Sequence, residues 1–322
     1  MRSVARFGLW GCASDYDRPM VEPARLAEVA QLPPRRSAVR AALVALRPRQ
    51  WLKNLLLFAG IIFAAKLGDP ARWLPAVAAF VVYCAASSAA YLVNDLRDVA
   101  ADRLHPVKRR RPIARGELRP PTAVALACGL AFGAVIVAGS LGRASLACLL
   151  GFAALQAAYT IRLKHVVLVD VLVIAALFVI RAAAGAIAVD VRISAWLLIC
   201  TGLLALFLAL GKRRAELVLV GVDRTPGRQV LEGYSIMLVD QLLAGVAGAT
   251  IVAYALYTVT ARGSYALVIT VPFVVFGLAR YLQLLHRHDA GEEPENVLLG
   301  DLPILVTVAT WAVLCATILV LS

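Results

Sequence analysis

Apolar residues in this chain fall into long unbroken runs separated by short polar stretches. The runs cover 52–68, 73–93, 121–140, 144–161, 167–189, 193–211, 236–258, 264–285 and 302–321. A bilayer core takes about 20 predominantly apolar residues per helix, and these runs have that length. A membrane β-barrel would show short segments of alternating polarity. No such alternation is present, so the pattern predicts an all-α integral membrane protein with nine transmembrane helices. Among the 322 residues, 61% are hydrophobic and 16% charged. That departs from the soluble average, about half apolar and a quarter charged, in the direction of lipid.

The polar stretches are unequal. Those following odd-numbered runs are short, such as Gly68–Asp69–Pro70 and Asp190 to Arg192, whereas those following runs two, six and eight are long. Net charge is +13. In a soluble protein this would raise the question of nucleic acid, but here the charge tracks the membrane. With the N-terminus inside, 27 of the 33 Lys and Arg fall on the inner side and five on the outer, with Arg181 inside a run. The positive-inside rule therefore predicts a multi-pass protein of the cell membrane whose long loops face the cytoplasm. Long polar loops in a compact protein tend to carry function, so the chemistry is expected at the cytoplasmic rim. The six cysteines form no CxxC pair, and five sit in apolar runs as small hydrophobes, which argues against a disulfide or metal framework. P-loop, GxSxG and zinc signatures are absent.

Residues 1–37, rich in Pro, Arg and Ala, are predicted to be a poorly ordered cytoplasmic tail, and 38–322 the transmembrane domain. Residues 38–50 space apolar positions helically around Arg40, Arg47 and Arg49, as an interfacial amphipathic segment does.

The chemistry-bearing residues gather at the ends of the runs. After run two come Asn94, Asp95, Asp98 and Asp102. If the helix continues, the three carboxylates at i, i+3 and i+7 share a face. They repel one another unless solvated, paired with cations or bridged by a metal. Hard oxygen ligands of this kind suit Mg²⁺, which usually takes one or two carboxylates plus substrate phosphates. A solvated helix end with Asp–Arg pairs is the plain alternative. Lys108, Arg109, Arg110 and Arg111 follow directly, and a basic cluster beside an acidic one is what a metal–diphosphate site needs. Tyr159, Arg162 and Lys164 precede Asp170, an acid just inside run five, where such a residue is costly. Arg181 lies about three turns further on the same face, about 16 Å away and too far to pair with Asp170. A structural and a substrate-binding role for Arg181 both stay open. Lys212, Arg213 and Glu216 close run six, and Arg47, Arg49 and Lys53 lead into run one. Each set alone could be an interfacial anchor, yet five segments bring polar groups to one rim.

The Asn94-Asp95-x-x-Asp98-x-x-x-Asp102 motif at the inner end of run two resembles that of the UbiA superfamily of membrane prenyltransferases. Within it, the sequence is most similar to the branch of decaprenyl-phosphate phosphoribosyltransferases. The likeness rests on Arg47 to Asn54, Asn94 to Ala114, Tyr159 to Asp170, Arg181 to Gly185 and Gly211 to Leu217, and covers roughly 40–322. Aromatic prenyltransferases of the superfamily usually carry a second DxxxD motif. Here Asp170 has Val166 and Ile174 four residues away instead. The resemblance implies a UbiA-like bundle with a cytoplasmic-side active site that transfers 5-phosphoribosyl from 5-phosphoribosyl 1-diphosphate (PRPP) to a polyprenyl phosphate and releases diphosphate. It implies Mg²⁺ on Asp95, Asp98 and Asp102, with Asn94 orienting and Asp170 near the ribose hydroxyls or metal. Lys108, Arg109 and Arg111 would hold donor phosphates, and Lys53, Lys164, Lys212 and Arg213 the acceptor phosphate, with Tyr159 and Arg181 also on the substrate. Two other functions remain open: a prenyltransferase of the same superfamily acting on an aromatic or other acceptor, and a lipid-binding or transport protein. A transporter should place polar groups near the bilayer midplane, and here Arg181 is the main one to do so. The oligomeric state, a homo-oligomer included, is not fixed by these features.

Overall fold

The computed structural model describes residues 35–64, 66, 68–104, 108–223, 229–260, 265–287 and 300–321. Most of the expected tail lies outside them. An amphipathic helix α1 (Ala38–Ala45) leads in, with Ser37 capping Arg40 N. It turns Ala41 and Ala45 inward and leaves Val39 and Leu43 exposed, as an interfacial helix does. The bundle follows: α3 (Pro70–Arg97), α5 (Pro120–Ser140), α6 (Arg143–Ile161), α7 (Val169–Ala188), α8 (Ala195–Asp223), α9 (Ile236–Thr260), α10 (Val271–Arg287) and α11 (Leu302–Leu321). A short α4 (Val99–Leu104) continues from α3. Eight helices among the described residues are long and apolar enough to cross a membrane, α10 together with the 3₁₀ turn before it.

The first predicted span, 52–68, differs from expectation. It is a 3₁₀ helix over Pro48–Phe58 followed by a short α2 (Ala59–Phe63). Eleven residues rising about 2.0 Å each and five rising about 1.5 Å reach roughly 30 Å, about one hydrocarbon thickness. Its start is pinned where Trp51 Nε1 donates to Ser88 Oγ (3.0 Å) and Ser88 Oγ donates to Leu46 O (2.8 Å). Its far end packs Phe63 against Tyr257 and Trp311. The segment thus runs from one end of the bundle to the other without being a regular α-helix. Among the described residues eight helices are thus long and apolar enough to cross a membrane, and the ninth expected span is this 3₁₀ and short α-helical segment.

Glycine explains how it fits. A Cβ on Gly185 of α7 would lie 2.0 Å from Leu57 O, and one on Gly60 would lie 2.7 Å from Ala186 Cα. Without a hydrophobic force between helices in lipid, such close backbone approach is how membrane helices associate. Gly185→Val is expected to push the 48–63 segment off α7 and lower the melting temperature in detergent, whereas Gly133→Ala, where added bulk meets open space, should leave it unchanged. Equal melting temperatures for the two variants would contradict this packing.

Small residues line the interior of α3 (Ala76, Ala79, Ala89), while large apolar side chains such as Leu74 and Phe132 point outward. That is the reverse of a soluble protein and matches a lipid-facing surface. Chain direction places Arg97, Pro120, Ile161, Val169, Asp223, Ile236, Arg287 and Leu302 at one end. This end is the polar rim.

Candidate active site at the polar rim

Asp95 lies in the last turn of α3 and is 2% exposed. Arg47, in the left-handed region at φ 54°, turns the chain between α1 and the 3₁₀ segment. That turn delivers its guanidinium to Asp95: Nη2 donates to Oδ1 at 2.6 Å. The same guanidinium lies over the Tyr91 ring, 4.7 Å from its centroid. From the loop after α4, Arg111 Nη1 reaches both Asp95 Oδ1 (3.1 Å) and Asp102 Oδ2 (2.6 Å). Helical hydrogen bonds continue through the α3–α4 junction, from Asp98 N to Asn94 O and from Asp102 N to Asp98 O, which keeps the acidic residues in helical register. Asn94 and Asp98 are partly buried beside them.

The three acids do not converge as one preformed metal cage. Among the described residues no group of three or more His, Cys, Asp and Glu could hold a metal ion. Instead one arginine nitrogen stands between Asp95 and Asp102. The physical reason is charge: two carboxylates, both nearly inaccessible, need a cation, and Arg111 supplies it. The donor set still suits Mg²⁺, because these are hard oxygens close enough to share one cation.

A second cluster surrounds Asp170 in the first turn of α7, which is fully buried. Arg213 of α8, 1% exposed, brings Nε to 2.7 Å from Asp170 Oδ2 and also pairs with Glu216. Tyr234 donates its phenol proton to Asp170 Oδ1 (2.6 Å) and accepts from Leu168 N (2.8 Å), where the chain takes φ 65° to enter the helix. Burial and the bond to Asp170 hold the Tyr234 phenol above its ordinary pKa, so it stays a proton donor.

Arg181 forms a third polar centre, within the bundle. Its Nε donates to Asn54 Oδ1 (2.8 Å) and Nη1 to Leu177 O (3.1 Å), and the guanidinium lies 4.7 Å from the Phe152 centroid and 5.2 Å from that of Phe178. Asn54 in turn donates to Cys84 Sγ.

The fold and the sequence agree on a family. The UbiA prenyltransferase family matches residues 55–299. A decaprenyl-phosphate phosphoribosyltransferase of Mycolicibacterium smegmatis is 36% identical over 295 residues, 86% of this chain and 92% of the relative. One from Corynebacterium glutamicum is 35% identical over 283 residues, 83% of each chain. The chain belongs to the UbiA family. A UbiA homologue from Archaeoglobus fulgidus, solved with GPP and Mg²⁺, superimposes with a TM-score of 0.67 at 17% identity, over 88% of this chain and 100% of that one. At that identity it speaks for the fold.

Within this UbiA bundle the residues expected from sequence do not all converge. Asp95, Asp102 and Arg111 come together, with Asn94 and Asp98 alongside. Asp170 and Arg213 come together but face each other, buried, so the structure engages Asp170 with protein groups where ribose hydroxyls were expected, and Arg213 where an acceptor phosphate was expected. Arg181 is engaged by Asn54 and a carbonyl. Lys53 donates to Gln50 Oε1 (2.6 Å), and Lys108, Tyr159, Lys164 and Lys212 sit partly buried at the rim. Arg109 parts from Arg111 and lines a separate cavity with Arg35, Arg103 and Arg115. Sequence reasoning gave no partner for Asp95 in Arg47, for Asp170 in Tyr234 or for Arg181 in Asn54. These pairs are 48, 64 and 127 residues apart, and no local spacing rule reaches that far.

Proposed function

We propose that this UbiA-family enzyme transfers 5-phosphoribosyl from PRPP to a polyprenyl phosphate of the decaprenyl class, releasing diphosphate. The observation that carries the reading is the likeness, at about 35% identity over nearly the whole of both chains, to proteins named decaprenyl-phosphate phosphoribosyltransferase. Asp95, Asp98 and Asp102 are the residues that would hold Mg²⁺, which when bound neutralises part of the leaving diphosphate. Arg111 then exchanges a carboxylate partner for a diphosphate oxygen, and Arg47 holds Asp95 in place. Lys108 completes the donor side, and Lys53, Lys164 and Lys212 the acceptor phosphate. The C1–O bond to diphosphate breaks and a C1–O bond to the acceptor phosphate forms. Stabilising the departing charge is the main task, and an acceptor that is already anionic needs no general base. The lipid tail lies among the apolar helices while its phosphate meets the rim. Asp170, Arg213 and Arg181 serve this reaction by holding α7, α8 and the 48–63 segment in position.

The assay is direct. Protein in nanodiscs given PRPP, Mg²⁺ and decaprenyl phosphate should release diphosphate and form a phosphoribosylated lipid, and a chelator should stop it. Prenylation of a hydroxybenzoate-like acceptor from a prenyl diphosphate, with PRPP left intact, would replace this reading by the prenyltransferase one.

The rim is proposed to face the cytoplasm, on the strength of the 27-to-five distribution of Lys and Arg. Membrane-impermeant labels should reach single cysteines at positions 108 and 212 only from the cytoplasmic side, and one at 192 only from outside. Access to 108 and 192 from the same side would refute the orientation.

A further inference from the structure

We propose that Glu117 and Arg36 are positioning residues for the acidic site: together they fix the loop from which Arg111 reaches Asp95 and Asp102. Arg111 opens a compact turn. Arg115 N donates to Arg111 O (3.0 Å), Gly116 N to Ile113 O (3.0 Å) and Glu117 N to Pro112 O (2.9 Å). Gly116, at φ 70°, lets the chain reverse. This turn is anchored in two ways. Ile113 and Leu118 join Ala45 of α1 and Ala89 and Leu92 of α3 in one buried apolar cluster. The Glu117 side chain, 0% exposed, accepts from Arg36 N (3.2 Å) and Arg36 Nη1 (3.0 Å), and Arg115 Nη1 stands 3.0 Å from it. Arg36 Nη1 also donates to the carbonyl of Arg110 (3.3 Å), the residue before Arg111.

Arg36 stands two residues before α1, and Arg47 two residues after it. One end of this helix, about 12 Å long at about 1.5 Å per residue, is therefore tied to the loop that supplies Arg111. The other end is tied to Asp95 through Arg47. The two cations that meet at Asp95 Oδ1 are set by opposite ends of a single helix.

The apolar cluster already holds the turn on α1 and α3, and a buried carboxylate adds to that only against a desolvation cost. What the ion pairs add is direction. Bonds to Glu117 and to Arg110 O fix the orientation of the turn, and with it where the Arg111 guanidinium points. Arg111 and a divalent cation compete for the same oxygens of Asp95 and Asp102. How firmly Arg111 is held therefore sets how readily the aspartates accept metal. This role rests on the proposed reading of the aspartates as a cation site, and not on which group is transferred.

The test is a double-variant cycle in the full chain in nanodiscs: Arg36→Ala, Arg111→Ala and both together, with Arg36→Lys as the conservative change. Arg36 is partly exposed, and its described bonds go to Glu117 and Arg110 rather than to Asp95 or Asp102. The probe is Mn²⁺, a carboxylate-seeking cation whose binding is read by electron paramagnetic resonance. Arg111→Ala should tighten Mn²⁺ binding about tenfold or more, because the competing charge-assisted bonds are gone. Arg36→Ala should tighten it in the same direction by a smaller factor, and Arg36→Lys should return it toward wild type. Once Arg111 is absent, Arg36→Ala should change nothing further. If Arg36 and Glu117 serve stability alone, Arg36→Ala lowers the melting temperature and leaves Mn²⁺ affinity unmoved. That result, additive effects in the cycle, or no Mn²⁺ bound by any of these proteins would overturn the positioning role. Should Arg36→Ala fail to fold, Glu117→Gln takes its place in the cycle. Transfer is assayed alongside: its absence with an intact Mn²⁺ cycle counts against the proposed reaction alone, and its presence without coupling counts against the positioning role alone.

Discussion

Replacing Asp95 by Asn is expected to lower phosphoribosyl transfer by about a hundredfold or more, while the protein still extracts and runs as a folded species. The substitution keeps shape and removes one charge. Asp95 accepts from Arg47 at 2.6 Å and from Arg111 at 3.1 Å. In the proposed reaction it also offers an oxygen to Mg²⁺, and an amide is a far poorer ligand for a hard cation. Arg47 and Arg111 remain about a quarter exposed, so water can screen the charge imbalance left behind. The loss should therefore appear in turnover rather than in stability, and Asp98→Asn is expected to behave alike. An Asp95→Asn enzyme with wild-type turnover, or one indifferent to chelators, would reduce the acidic segment to a charge-paired helix end.

Asp170→Asn is expected to act in the opposite way, by destabilising the fold. Asp170 is fully buried and Arg213 is 1% exposed. Removing the Asp170 charge leaves the buried Arg213 with Glu216 as its remaining anionic partner and with nothing anionic facing its Nε, a loss bounded by the about 3–5 kcal/mol of breaking a buried pair outright. Tyr234 also exchanges an anionic acceptor for a neutral amide, which weakens the tie between the α7 entry and the 229–234 turn that Leu168 N still makes to the phenol oxygen. Replacing both partners, as Asp170→Leu with Arg213→Met, should restore much of the melting temperature, because a paired ion and a pair of apolar side chains of similar volume are often close in stability. The measurement is thermal unfolding in detergent for the single and double variants, beside transfer. Should Asp170→Asn melt like the wild type yet fail to transfer, Asp170 would touch substrate directly, as the sequence alone suggested.

These two aspartates show how differently similar sequence signals resolve. Both sit at the rim end of an apolar run, and both read as functional acids from position alone. Both carboxylates are buried, and the distinction lies in their partners, Arg47 a quarter exposed and Arg213 nearly inaccessible, which stand 48 and 43 residues away in sequence. Arg181 is a like case. Its place in an apolar run was visible, and its lack of reach to Asp170 followed from helix geometry. That it lies between Phe152, Phe178 and Asn54 required the packing of α6 and the 48–63 segment against α7. The 3₁₀ conformation of that segment was equally hidden. Its residues are apolar enough for a span, but the choice of 3₁₀ over α is tied to close approach at Gly185 and Gly60, a tertiary contact.

The sequence by itself determined that the chain is a helical membrane protein, where eight of its helices lie (seven to within a few residues, with α8 running to Asp223, twelve residues past its expected end), that its charges collect at one end, and that its motifs belong to the UbiA family. Those properties are local: they follow from run length, helical period and charge per loop, each read within a few turns of chain. Only the tertiary structure decided which rim cations neutralise which acids, that Asp170 and Arg213 are spent on each other, and that Arg109 is separated from Arg111 into an arginine-lined cavity. Those outcomes turn on desolvation and distance between segments far apart in sequence. A buried charge takes whichever partner the packing of the helices brings within about 3 Å, and periodicity carries no information about that choice.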